Sequence, residues 1–408
     1  MNKILLIIVG AAALFFLACT GQSLAGEGRI YGRVIMRDGN RYQGMIRWDR
    51  NEGSWIDMLH GNMELIHDGG DNCRGEEDRE TISIFGFIKI ETDSDDLDIT
   101  RSAVSFGHIR SIEVLDDESA RITLKSGHQM EFEGGSSDIG DSNREILVED
   151  RREGKFEVQW NDIDRIEFTE TAPGLKSTFG ERLYGTLKTG SGDTYTGWIC
   201  WDEDELFGKD LLDGDQGTLT REIGFSLISS IRRQNSESAV VTLESGKEMV
   251  LDNSNDVDDS NRGIVVYVDR FGLVTVYWDE FHSLDFEDQP YILRYEDFDG
   301  GRQLYGTVFA GDGSSYTGRI RWDNDEEWSW DFLDGEFRDV EYEVEFGNIR
   351  SIERRSRDSA VVVLNDGSTF IMSGSNDVNY KNKGIYIMQE TGEQKRICWD
   401  EFSRVLFE

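Results

Sequence analysis

Three times along the chain a Tyr-Gly pair is followed, seventeen residues after the Tyr, by Trp-Asp: Tyr31 to Trp48, Tyr184 to Trp201 and Tyr305 to Trp322. A spacing that recurs in this way marks one supersecondary unit copied in tandem, so the fold must be one that such a unit can repeat. The register continues through Asp57, Asp210 and Asp331 and through Ser119-Ala120, Ser238-Ala239 and Ser359-Ala360, and it ends on Trp160, Trp278 and Trp399. It divides the chain into copies at residues 26–170, 181–287 and 301–408, each of about 105 residues once a 34-residue insertion between about 60 and 103 is set aside. The linkers, 171–180 and 288–300, hold Pro173 and Pro290, the only two prolines present.

A chain that keeps proline out of every copy is using its backbone N–H groups throughout, as sheet ladders require. Each copy divides again into two half-units of roughly fifty residues, because a turn glycine precedes an aromatic by 32 or 33 residues in both halves, as from Gly192 to Phe225 and from Gly246 to Trp278. A half-unit opens with residues alternating two apart, such as Leu304, Gly306 and Val308. It turns at an Asp-Gly or Ser-Gly and alternates again through Tyr316, Gly318, Ile320 and Trp322. That is hairpin chemistry, with glycine supplying the positive φ and period two laying one side of the ribbon on a core. A strand, a tight bend and another strand close the unit, and helical periodicity is nowhere sustained. The expectation is an all-β fold of three tandem repeats. Its plan resembles that of small SH3-like and Sm-like barrels, so each repeat is either a pair of such barrels or one β-sandwich built from two similar half-units.

The first residues carry one charge at Lys3 and an apolar run from Ile4 to Ala18, which predicts a signal peptide over 1–25 and an exported, periplasmic or extracellular protein. Ser23-Leu24-Ala25 has the small-x-small cleavage form; the competing reading is a lipid anchor on Cys19. No later stretch is long and apolar enough to span a membrane. The formal net charge of −38 argues against nucleic acid and anionic lipid as partners and leaves a protein or polysaccharide of the cell envelope or extracellular space. Beyond the signal, Cys73, Cys200 and Cys398 make an odd count. The last two stand where the other copies have unrelated residues, so they are expected to point outward and carry no structural role.

Two sets of residues are candidates for binding. After its first Trp each copy carries an oxygen-rich loop: Asp49, Asn51 and Asp57; Asp202, Asp204 and Asp210; Asp323, Asp325 and Asp331. Hard oxygens in a flexible loop suit calcium, the one cofactor the sequence proposes; the same residues also cap turns by accepting their own downstream N–H groups. Trp55, Trp198, Trp328 and Trp330 fall outside the inward pattern of the recurring tryptophans and are the candidates for stacking on a sugar. No nucleophile elbow, zinc helix or phosphate loop is present, and the five histidines keep no ligand spacing. The expectation is a non-catalytic binding or scaffold protein. The alternative is calcium-dependent polysaccharide binding, and a glycoside hydrolase comes last.

Overall fold

The computed structural model describes residues 28–64, 73, 99–134, 136–323 and 325–408. Residues 1–27, with Cys19, lie outside the described residues. So do the apolar run 82–90 and Asp93, Asp95, Asp96 and Asp98. Among the described residues the chain is all-β, with two large antiparallel sheets broken by single 3-10 turns, and no helix is long and apolar enough to cross a membrane.

The first sheet has ten strands: β1 (Tyr31–Met36), β2 (Arg41–Trp48), β3 (Met58–Glu64), β4 (Ile99–Ser105), β5 (Ile109–Val114), β6 (Ser119–Leu124), β7 (Gln129–Glu133), β8 (Ile146–Asp150), β9 (Gly154–Val158) and β10 (Ile163–Phe168). Their order across the sheet is β4-β3-β7-β6-β5-β10-β1-β2-β8-β9. Buried residues of all ten strands join a single hydrophobic cluster. The second sheet has twenty strands, from Tyr184–Thr189 to Phe402–Phe407. Residues 184–286 and 305–407 each pair in the scheme of β1–β10, and the two sets join where Gly272–Val276 lies antiparallel to Val340–Glu345.

This scheme corrects the expectation of small barrels. The β1–β2 hairpin belongs to the first half-unit but pairs through β2 with β8 of the second, and the β3–β4 hairpin meets β7 of the second half. Neither half closes on itself, and the sheets are not closed barrels. The exchange depends on close backbone approach. A Cβ on Gly44 would stand 2.1 Å from the Glu149 carbonyl oxygen, and Gly197 and Gly318 meet the Tyr267 and Met388 carbonyls at 2.1 and 2.2 Å. Any side chain there would push the second half-unit off the first, so glycine is required at all three positions. By interlocking, two fifty-residue halves share one core, which buries a larger fraction of surface than either would alone.

The 34 extra residues enter at a hairpin tip, between β3 and β4. In the later stretches the corresponding hairpins turn in two residues, Gly217-Thr218 and Arg338-Asp339, with positive φ at Gly217, Arg338 and Asp339. Cys73, inside that insertion, is disulfide-bonded to Cys398, 325 residues away. This corrects the expectation that Cys398 is incidental: the odd count arose because Cys200 is the free one, while the other two staple the first stretch to the third.

Each of the three stretches touches the other two. Arg182 reaches from the second to Asp57 of the first at 3.0 Å, Arg47 answers toward Asp210 at 2.7 Å, and the Arg29 guanidinium lies 3.4 Å above the Phe207 ring. The second linker runs along the first stretch: the Tyr295 hydroxyl donates to the Ile109 carbonyl, and Phe298 packs edge-on against His108. The Gly300 N–H donates to His108 Nδ1, so that nitrogen is unprotonated. Burial pushes the His108 pKa down to about 4, in keeping with a neutral ring.

Candidate functional site

The loop after each recurring Trp is built alike. Trp48, Trp201 and Trp322 are fully buried, and each indole N–H donates at 3.0 Å to the carbonyl of Asp138, Asp256 and Asp377 respectively. The carboxylates of those three aspartates accept the backbone N–H of His60, Asp213 and Asp334. Trp and Asp together therefore lock the exchanged halves to one another.

Most of the proposed calcium residues have partners within the protein. Asp57 Oδ2 accepts the N–H groups of Gly53 and Ser54, Asp210 those of Leu206 and Phe207, and Asp331 those of Glu327 and Trp328, all between 2.7 and 2.9 Å. This is turn capping by aspartate. Asp49 accepts from the backbone and guanidinium of Arg144 and Asp202 from those of Arg262, whereas Asp323 accepts from Asn376 and the Lys383 N–H. Arg262 also lies 2.6 Å from Asp204. Asn51 keeps a buried Oδ1 without a hydrogen-bond partner among the described residues, and Asp325 stands on the wall of the cavity described below. One trio, Asp202, Asp204 and Glu205, brings its oxygens within 4.8 Å of one another.

The candidate sugar platforms divide. Trp55 is fully buried against Tyr295 and Phe168, which leaves no ring face for a sugar. Trp198, Trp328 and Trp330 line a cavity of about 680 Å³ between the three stretches, a volume suited to a small molecule. The first stretch brings Glu52, Met58 and Asp138 to it, the second Trp198, Glu203 and Tyr267, and the third Glu326, Trp328 and Asp334. Cys200, expected to point outward, lines it too, and burial raises its thiol pKa well above the usual value.

Burial dominates the electrostatics of this wall. It pushes Glu203 and Glu343 up to about 7 and Asp331 up to about 8, and it raises Asp334 well above the carboxylate range with help from Glu343. Three glutamates escaped the sequence reading: Glu52, Glu205 and Glu326, each four residues after its Trp. All three have a buried Oε2 without a hydrogen-bond partner among the described residues, and burial followed by neighbouring aspartates raises each pKa well above the usual range. Their constant offset from the recurring Trp was the signal that would have found them. Comparison with family models, curated proteins and solved structures returns no match.

Proposed function

We propose that this chain is an exported, non-catalytic binding protein made of three tandem copies of one all-β unit, and that the copies surround a single small-molecule site. One observation carries the reading: a cavity of about 680 Å³ draws its wall from all three stretches, so no single copy could form it. Aromatic rings, flexible methionines and a few convergent polar groups are the lining that small-ligand sites favour. The shared wall also gives the copies a reason to remain joined. The interdomain arginines and the Cys73–Cys398 bridge hold their relative positions.

The test uses three naphthalene compounds of one shape: a neutral alcohol, a trimethylammonium and a carboxylate, titrated against the full chain and followed by indole fluorescence. Ala103 and Met63 stand on the cavity wall, and Ala103→Trp and Met63→Trp would fill it. Saturable one-to-one binding of at least one compound, lost in both variants while their melting temperatures hold, supports the reading. Absence of saturation with all three, or binding indifferent to both fillings, overturns it.

Calcium-dependent polysaccharide binding draws on the close approach of Asp202, Asp204 and Glu205. Arg262 already bridges the first two, so a metal would have to displace a guanidinium. A melting temperature that climbs with millimolar calcium at constant ionic strength would favour this second reading.

A further inference from the structure

We infer that the ligand of the central cavity is an organic cation with an apolar body, held between carboxylates of different copies and faced by aromatic rings. This rests on the cavity being the binding site. Among the described residues eleven acidic side chains line it against two arginines, both of them paired, Arg182 with Asp57 at 3.0 Å and Arg321 with Glu327 at 3.9 Å. An anionic ligand would enter against that field.

Charge alone would be an acidic surface. Two further observations make it a site. Glu52 is 5% exposed, with an Oε2 shut off from solvent and without a hydrogen-bond partner among the described residues; Glu326, from the third copy, has an Oε2 in the same state. Both line the cavity. Burial raises the pKa of both well above the usual carboxylate range, so each holds a proton at the cavity wall; a cation in the cavity would stand beside two carboxyls from two copies and displace those protons. The remaining wall is of a different kind: Trp328, Trp198, Tyr267 and Phe332 contribute aromatic surface, and Met58 and Met130 contribute polarisable, adaptable surface. A bare metal ion would answer the charge but leave most of the volume without contacts. An ammonium or amidinium on an apolar frame uses both parts of the wall.

The same three naphthalene compounds decide the matter, since they differ only in charge. The trimethylammonium is expected to bind roughly tenfold or more tighter than the alcohol, with the carboxylate weakest. The paired variant Glu52→Gln with Glu326→Gln keeps side-chain shape and should lower ammonium affinity by roughly tenfold, while the alcohol changes by less than about twofold. Equal affinities for ammonium and alcohol, or equal losses for both in the paired variant, would overturn the cation assignment and leave the cavity reading standing. If no compound binds, the cavity reading falls with it.

Discussion

Removing Arg182 should destabilise the protein more than removing any exposed ion pair would, because it leaves a charge behind where water cannot reach it. Its side chain is 5% exposed and that of Asp57 is 7%. One guanidinium nitrogen sits 3.0 Å from Asp57 Oδ1, a second donates to the carbonyls of Leu206 and Ile199, and Nε donates to Ser54 Oγ. Breaking a buried pair by deleting one partner costs roughly 3–5 kcal/mol. The Ile199 carbonyl left without that donor adds about 1 kcal/mol, while the Leu206 carbonyl keeps the Leu183 N–H at 2.8 Å. Asp57 keeps two backbone N–H donors, from Gly53 and Ser54, which holds the total for Arg182→Met near the low end, at about 4–5 kcal/mol. Asp57→Asn in the same chain removes the stranded charge, so the double variant should recover about 2 kcal/mol of the loss. Urea unfolding followed by far-UV circular dichroism measures all three. Arg47 and Asp210, at 12% and 13% exposure, are the internal control and should lose less. The reasoning fails if Arg182→Met costs under about 1 kcal/mol, or costs the same with and without Asp57→Asn.

Two further outcomes follow from the geometry. Trp48→Phe, Trp201→Phe and Trp322→Phe each delete one indole N–H bond of 3.0 Å and part of a fully buried ring, so each should cost about 2–3 kcal/mol, and a spread much wider than about 1 kcal/mol would count against equivalent environments. Stability should fall as pH rises from 5 to 8, because Glu203, Glu343 and Asp331 hold protons in the folded state up to about 7 to 8, whereas the unfolded chain releases them near 4 to 4.5. Glu203 alone accounts for roughly 3 kcal/mol, present below its unfolded pKa and lost as pH climbs through the folded one. His108, held near 4, acts in the opposite direction as a single group, losing stability as pH drops below 6.5. A melting temperature that rises between pH 5 and 8 at fixed ionic strength would contradict this balance.

Much of the local structure was readable before any coordinates. Period-two alternation and turn glycines located the hairpins, and the recurring aromatics Phe106, Trp160, Phe225, Trp278, Phe346 and Trp399 are all buried beside the bends where a strand closes. The site was less legible. Asp57, Asp210 and Asp331 recur for a reason that the sequence could state in two ways, as ligands or as caps, and hydrogen bonds to their own turns are what the structure gives them. Glu52, Glu205 and Glu326 kept an equally constant offset, yet a glutamate among so many carboxylates carries no mark of burial. Trp55 and Trp198 look alike on paper; one lies under Tyr295 and the other lines a cavity.

What the chain's order of residues determines alone is everything decided within a few positions: which segments extend, where glycine lets them turn, and which side of each ribbon is apolar. Those choices come from φ preferences and from burying a stripe of side chains, both local in origin. The choice of β8 rather than a strand of its own half as the neighbour of β2 was settled only by tertiary packing, as were the joining of Cys73 to Cys398 and the meeting of three walls around one space. An edge strand offers the same row of N–H and C=O groups to any partner, so pairing goes to whichever partner completes a larger shared core.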